Sequence, residues 1–547
     1  MKRRDFLASS ALPLLGCEKT NDISGAFTGM AFERGHWLRD GKWGDGKAWP
    51  APSAVQKTRV VIAGGGVAGL AAARALRLKG MDDFALLELE GEAGGNSRGG
   101  SVNGITCPLG AHYLPVPSDD APEVQDLLEE LGLRKRVAGR WEYDERHLCH
   151  SPQERLFFNG AWQNGLLPVQ GVGPATLVQY QKFSDLVAVA QKAGKWTIPA
   201  SKMPLAPVQQ TLSATTFIAY LDQNGLTDPQ LRWYLDYCCR DDYGAGITTV
   251  SAWAGIHYFA SRHGFHVPGR DANEPGGLLT WPEGNAWLTS RLAAPLKDRL
   301  FTGWIVLRIA ALKHGVEVDA FNPASQTTHR WLAERCVNAL PVFIAARVVD
   351  NPPDFLRDAA ARTRYAPWLV ANIHIKTPLQ DRPGPAPSWD NLIYGNEDGE
   401  SGRGPNGAGL GYVDAMHQSL LPVPGATVLT HYRALGDVPN GRKLLIDTPW
   451  AQWRDVILAD LARAHPDIAS KTTRIDITRF GHAMAVPLPT LNGKVGSLPP
   501  LNNDSMLFNK ERSAVATQRQ LFAHADWAGY SIFEEAFTLG HVAGRLA

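Results

Sequence analysis

Apolar residues along the chain gather in short runs broken by glycine, proline and charge, and near residue 60 the spacing changes from strand to helix within a dozen positions. Arg59-Val60-Val61-Ile62-Ala63 is a β-branched run without alternation, which predicts a strand buried on both faces, as in a parallel sheet. Gly64-Gly65-Gly66-Val67-Ala68-Gly69 follows at once, and Leu70-Ala71-Ala72-Ala73-Arg74-Ala75-Leu76 then predicts a helix. Phe84-Ala85-Leu86-Leu87-Glu88 predicts a second strand that ends in an acid 19 positions beyond Gly69. Strand, glycine turn, helix and strand with a terminal carboxylate form a dinucleotide-binding unit. Gly64 allows the tight turn, Gly66 lets backbone approach a pyrophosphate, and Gly69 brings the helix close to the strand. The first helical residues, Val67 and Ala68, carry amides toward the phosphates, and Glu88 is placed to accept the ribose hydroxyls.

Six positions after Glu88 come Gly94-Gly95-Asn96-Ser97-Arg98, and then Pro108-Leu109-Gly110-Ala111-His112-Tyr113. With these the chain resembles the flavin amine oxidase superfamily, whose members carry an acid, a Gly-Gly-Arg turn and a Leu-Gly-Ala-His segment in this order. Asn96 stands at the usual arginine, and the resemblance implies that Arg98 takes over its phosphate contact. Phe301 to Ile309, Gly315 to Val318 and Cys336 to Pro341 resemble the family's returning strands, which implies Val306 against the adenine end. Leu521 to Asp526 and Trp527 to Ala536 resemble its closing strand and helix. That implies Asp526 at the ribityl or pyrophosphate region and the amides near Ile532 and Phe533 at the flavin N1 and O2.

The fold implied is α/β: a Rossmann-like FAD-binding domain of the glutathione-reductase or amine oxidase type, interleaved with an α+β substrate domain. Residues 58–135, 276–350 and 476–547 are expected to form the first, and 136–275 and 351–475 the second. Residues 18–57 are expected as an N-terminal arm, rich in Gly, Asp, Lys and Trp.

The excursions are aromatic, with Trp233, Tyr234, Tyr237, Trp253 and Tyr258 in one and Tyr365, Trp368, Trp389, Tyr394 and Tyr412 in the other. Most such rings are core, and together they predict an apolar cavity. Arg240-Asp241-Asp242-Tyr243 lies between apolar runs, where charges must be paired, solvent-facing or functional. Trp527-Ala528-Gly529-Tyr530 resembles the Trp-Ser-Gly-Tyr of monoamine oxidases and implies Tyr530 as one wall above the flavin. Arg479 to Pro487 implies His482 as the other; a histidine there is either a proton acceptor near neutral pH or a core residue bonded to backbone. Val370 falls at the family's lysine position, with Lys376 too far along the strand to replace it. The family cysteine that links flavin covalently falls at Gly481, so FAD is expected to be noncovalent.

Charge narrows the partners. Lys and Arg number 55 against 54 Asp and Glu, with no run of five or six like charges, so nothing offers a nucleic-acid footprint. Six cysteines lack metal-ligand spacing, and no metal site is expected. Met1-Lys2-Arg3-Arg4-Asp5-Phe6-Leu7 and the apolar stretch to Cys17 resemble a twin-arginine export signal over residues 1–17. Leu14-Leu15-Gly16-Cys17 resembles a lipobox, with an ordinary signal residue as the other reading of Cys17. The expectation is a periplasmic or periplasm-side, membrane-anchored FAD oxidoreductase that oxidises an amine or polyamine by hydride transfer to N5 and passes electrons to oxygen or another acceptor. The alternatives are a desaturase or dehydrogenase on an apolar substrate, and a catalytically silent flavoprotein acting as an envelope binding partner.

Overall fold

The computed structural model describes residues 22–204, 206–268, 277–395, 409–419, 423–490, 515–517 and 519–547. The leader expected at Met1–Cys17 lies outside them. A parallel sheet takes its strands from four separate regions of the chain: Leu300–Thr302, Phe84–Glu88, Val60–Ala63, Arg335–Asn338 and Gln520–Phe522, with the antiparallel Val515–Ala516 at one edge. Val60–Ala63 is central and buried on both faces, as its uninterrupted apolar run requires. Val60 and Ile62 face a core shared with helices Val67–Leu78 and Phe533–Leu546, whereas Val61 and Ala63 face a core built on a second sheet. That second, four-stranded sheet runs Ile305–Leu312, Gly315–Asn322, Thr327–Ala333 and Pro52–Lys57.

The substrate half rests on an eight-stranded sheet in the order Ser24–Thr28, Thr472–Val486, Arg364–Ile375, Thr427–Ala434, Gly409–Asp414, Asp390–Ile393, Glu154–Phe158 and Ala161–Asn164. Strand Arg364–Ile375 separates two cores by simple alternation. Ala366, Trp368 and Val370 face the helical core of the first excursion, and Leu369, Ala371, Ile373 and Ile375 face helix Trp450–Ala462.

Two expectations about boundaries change. Strand Thr472–Val486 runs unbroken in the eight-stranded sheet, so the division expected at 475/476 falls inside one strand. The N-terminal arm is also not a free leader-in. Its Ser24–Thr28 pairs in parallel with Arg474–Thr478, and its Pro52–Lys57 pairs with Thr328–Leu332, so it is stitched into two different sheets. Among the described residues no helix is long and apolar enough to cross a membrane.

The terminal helix Phe533–Leu546 packs on Val67–Leu78 at backbone distance. A Cβ on Gly540 would lie 2.0 Å from the Ala68 carbonyl oxygen, and one on Gly544 would lie 2.4 Å from that of Ala72. Gly540→Val therefore has no space without separating the helices. Its expected cost is about 1–3 kcal/mol, read as a lower thermal midpoint together with weaker flavin retention.

Candidate active site

The dinucleotide end is set by close backbone approaches. Gly64 has φ +101°, and a Cβ on Gly69 would stand 1.9 Å from the Gly64 carbonyl oxygen. Around Gly66, by contrast, a Cβ would meet nothing nearer than Gly95 Cα at 3.9 Å, which leaves the room that a pyrophosphate needs. Gly66 begins helix Val67–Leu78 without a side-chain cap, so the first amides, through Val67 and Ala68, are available to an anion.

Glu88 is buried at the end of its strand and accepts from the amides of Gly65 at 2.7 Å and Glu90 at 2.8 Å. Burial pushes its carboxyl above the ordinary range, and those two amides oppose the rise. The second glycine turn lies against the first, with the Gly94 amide donating to Gly65 oxygen at 2.8 Å. The segment leading to Val306 docks on the same acid strand through Gly303 N to Glu90 O at 2.7 Å and Trp304 N to Glu88 O at 2.8 Å. Gly64, Gly66, Gly69, Glu88, Gly94, Gly95 and Val306 are thus brought together from distant sequence, and the crevice fits the dinucleotide of FAD.

Asn96 and Arg98 have protein partners. Asn96 Nδ2 donates to Ala483 oxygen at 2.8 Å, and its carbonyl accepts from the Ala111 amide at 2.8 Å. Arg98 donates to the Gly29 carbonyl and lies 3.7 Å from Glu90. The guanidinium expected at a phosphate is therefore engaged by the N-terminal segment. Gly110 leaves no room for a side chain, since a Cβ would lie 2.2 Å from Asn96 oxygen.

At the closing end, Asp526 Oδ2 accepts from Tyr365 hydroxyl at 2.6 Å and Val342 amide at 3.0 Å, and His524 Nδ1 lies 3.1 Å from Oδ1. Burial raises its carboxyl, but His524, Tyr365 and the Val342 amide outweigh it and hold the group below its ordinary value. Asp526 thereby joins the start of helix Val342–Val348 and the start of strand Arg364–Ile375 to the turn Ala525–Ala528 that precedes the terminal helix. That helix starts at Phe533, after Ile532, with no side-chain cap, so its first amides and N-terminal dipole are open to an anionic or polar group.

The two expected walls do not form one pair. His482 stacks on Phe343 at 4.4 Å and meets Tyr365 edge-on at 5.7 Å, and burial followed by Arg442 lowers its pKa to about 4, so the ring is neutral. Tyr530 belongs to another ring group, with Tyr243 at 5.2 Å and His257 at 5.4 Å, and has no exposed surface. Its hydroxyl donates to Asp242 at 2.6 Å and accepts from Arg262 at 3.0 Å, and Arg262 pairs with Asp242 at 3.0 Å. A buried ion pair needs that hydroxyl to satisfy it, which draws the ring away from an open wall position.

Aromatic surface comes instead from residues joined to the glycine turns. His112 stacks on Tyr432 at 4.4 Å and lies 5.5 Å from Trp389, and Tyr113 meets Trp389 edge-on at 5.8 Å. Tyr432 hydroxyl donates to Gly110 oxygen at 3.1 Å, so the Gly110-Ala111-His112 segment runs from the cofactor crevice into this cluster. Burial pushes His112 down to about 3, and it too is neutral.

Beside these rings stands a carboxylate-rich face. Helix Pro229–Tyr243, capped by Asp228 at 2.9 Å to the Leu231 amide, carries Tyr234, Tyr237, Cys238 and Asp241 on one side at spacings of three, four and seven. Glu154 and Asp390 are register partners on adjacent parallel strands, and Tyr237 donates to Asp390. Burial pushes Glu154 to about 7; burial and Asp242 push Asp241 to about 7 against Arg262; burial, then Asp241 and Glu154, raise Asp390 further. Glu154, Asp241, Asp390, Tyr113, Tyr234 and Arg262 keep partial exposure although burial dominates their electrostatics, which marks them as lining an interior hollow. Arg262 pairs with Asp242 and also opposes the rise at Asp241, while Glu154, Asp241 and Asp390 form no ion pair among the described residues.

Sequence reasoning flagged Asp241 and Asp242 but missed Glu154 and Asp390. Their only signal was an acid heading an apolar strand, as in Glu154-Arg155-Leu156-Phe157-Phe158 and Asp390-Asn391-Leu392-Ile393. Val370 is buried in the same core as the register partner of Tyr432, and Lys376 is exposed beyond the strand end. Gly481 offers no thiol, and the described cysteines Cys107, Cys149, Cys238, Cys239 and Cys336 are free and buried. Among the described residues no cluster could hold a metal ion.

Comparison with known proteins agrees with this geometry. The family model of flavin-containing amine oxidoreductases matches residues 67–527. Local matches are 39% identical over 160 residues to protoporphyrinogen oxidase 2, chloroplastic/mitochondrial, of Arabidopsis thaliana, and 33% identical over 93 residues to the mitochondrial protoporphyrinogen oxidase of Nicotiana tabacum. These cover 29% and 17% of the chain and only 28% and 18% of the relatives' lengths. The fold is similar to that of putrescine oxidase bound to putrescine, with TM-score 0.65, 17% identity, and coverage of 90% of this chain and 99% of that one. It is also similar to that of cyclohexylamine oxidase from Brevibacterium oxydans, with TM-score 0.61, 17% identity, and coverage of 89% and 98%. The chain belongs to the flavin-containing amine oxidoreductase family and is an FAD-dependent oxidoreductase.

Proposed function

We propose that the protein oxidises a small cationic amine or polyamine. FAD, when bound, supplies the hydride acceptor at N5. The observation that carries the substrate class is the hollow lined by Glu154, Asp241 and Asp390, none of which forms an ion pair among the described residues, beside the closed Asp242–Arg262 pair. An ammonium entering it restores charge balance, whereas an anionic substrate would add like charge. His112, Tyr432 and Trp389 orient the apolar part of the substrate, and hydride transfer then depends on that alignment more than on acid–base groups. Neutral His112 adds no competing cation to that ring cluster.

Val370 at the lysine position supports an electron acceptor other than oxygen. It also favours a second reading, a carbon–carbon dehydrogenase on an apolar substrate. Anaerobic addition of amines to the yellow holoenzyme is expected to bleach the flavin, with reoxidation faster by a quinone than by oxygen. Bleaching by an alkene precursor but by no amine would select the second reading. Asp390→Asn is expected to raise KM for the amine roughly tenfold with a smaller effect on kcat, because the ammonium loses a carboxyl that can ionise against it.

The acid pair also fixes a pH dependence. Glu154 and Asp241 are neutral below about 7 and ionise above it. Binding of a quaternary ammonium, which cannot itself titrate, is therefore expected to tighten as pH rises through about 7, and Glu154→Gln with Asp241→Asn to flatten the profile. The amine-free holoenzyme is expected to lose stability as pH rises from the ordinary values, 4.5 and 3.8, up to about 7, because over that window the unfolded chain has released protons that the folded protein still holds.

The twin-arginine-like leader supports export of the loaded protein to the periplasmic side, with Cys17 as a lipid anchor. Fractionation tests this: Arg3→Lys with Arg4→Lys is expected to leave the flavoprotein in the cytoplasm.

A further inference from the structure

The N-terminal segment crosses between the two halves of the molecule at the edge of the dinucleotide crevice. On one side, Ser24–Thr28 lies in register with Arg474–Thr478, so closely that a Cβ on Gly25 would stand 1.9 Å from Ile475 oxygen. Arg479 of the same strand covers the rings of Phe27 at 3.7 Å and Phe32 at 4.9 Å. On the other side, helix Phe32–Asp40 buries Leu38 in the core beneath the parallel sheet, and Arg347 donates to Arg39 oxygen at 2.8 Å.

Between these anchors, three hydrogen bonds join the segment to the stretch from Leu89 to Arg98 that follows Glu88. The Ala31 amide donates to Glu90 Oε1 at 3.1 Å, and Arg34 donates to the Leu89 carbonyl. The Gly29 carbonyl accepts from Arg98, whose other nearby groups are Met30 Sδ at 2.8 Å and Glu90 at 3.7 Å. Leu89 and Glu90 directly follow the ribose-facing acid, and Arg98 ends the Gly94-Gly95 turn that lies on Gly65. The crossing segment therefore grips both ends of the loop that closes over the ADP half of the site.

We propose that residues 28–40 act as a latch for FAD. The latch need not touch the nucleotide. It holds the Leu89–Arg98 turn against Gly65 and Gly66, and FAD leaves when that turn lifts. Three of its contacts involve a guanidinium or a carboxylate, and such charge-assisted hydrogen bonds exceed neutral ones in strength. Anchoring in both sheets gives the segment two fixed ends, so the turn cannot lift without breaking these contacts or unpairing a strand.

The proposal rests on the FAD crevice and not on the amine reading, and its test uses flavin release. In the full-length holoenzyme, Arg34→Ala removes the contact to Leu89. Ala31→Pro removes only the amide given to Glu90, and Ala31 has φ −86°, close to that of proline. After rapid dilution, the appearance of free-flavin fluorescence is expected to be several-fold faster in each variant and about tenfold faster in both together. The gap between the melting temperatures of loaded and FAD-free protein is expected to shrink, a readout that general destabilisation, lowering both equally, would not move. Release at the wild-type rate from the folded Ala31→Pro and double variants would overturn the latch. So would an unchanged gap between loaded and FAD-free melting.

Discussion

The structure depends on backbone-to-backbone contact at the start of one helix. Val67–Leu78 is pressed on the strand turn through Gly69 and on the terminal helix through Gly540 and Gly544, each at a distance that excludes any side chain. That double contact fixes where the helix begins, and so where its unpaired amides point. It also joins residue 64 to residue 540, which forces the polypeptide to make its excursions before returning. The interleaved architecture follows from this: the parallel sheet that joins Val60–Ala63, Arg335–Asn338 and Gln520–Phe522 exists only after the chain has come back for the last time.

The price in stability is concentrated elsewhere, in the hollow. Glu154, Asp241 and Asp390 are held where burial opposes their ionisation, and none has a cation of its own among the described residues. Apolar replacements would pack there without that penalty. Uncompensated carboxylates on a helix face and two strand starts make physical sense as part of a site completed by a cation from outside. Asp242 shows the contrast. With Arg262 and Tyr530 it forms a closed set, and it locks a ring without needing a ligand.

The cofactor half was largely legible because its chemistry is backbone chemistry. Glycine spacing and a terminal acid are local signals, and the structure has the glycine turn between strand Val60–Ala63 and helix Val67–Leu78, with Glu88 ending the next strand. The walls were less legible because side-chain direction depends on partners remote in sequence. Tyr530 occupies the segment that resembles a wall, yet an Asp242–Arg262 pair some 270 positions earlier decides where its hydroxyl goes. Glu154 and Asp390 were invisible for a related reason: strand register alone makes them neighbours, and no motif records register. The arm read as a lead-in because its strands are short and its partners lie some 275 and 450 positions away.

Family membership leaves the substrate open. The local matches are to protoporphyrinogen oxidases and the whole-fold likenesses are to putrescine and cyclohexylamine oxidases, at identities that speak for fold alone. What discriminates is charge at the ring cluster, which the common scaffold does not set. The segment Gly110-Ala111-His112 leads from crevice to cluster in one stretch, so whatever lies against His112 and Tyr432 is close to the flavin end of the site. Carboxylates positioned beside those rings make that location favourable for a positive group and unfavourable for a negative one. Desolvation makes the preference stronger, because a charge moved out of water there has little else to pair with. On the proposed reading, substrate preference rests on the face of helix Pro229–Tyr243 and on the starts of strands Glu154–Phe158 and Asp390–Ile393, elements distinct from the glycine turns of the dinucleotide crevice.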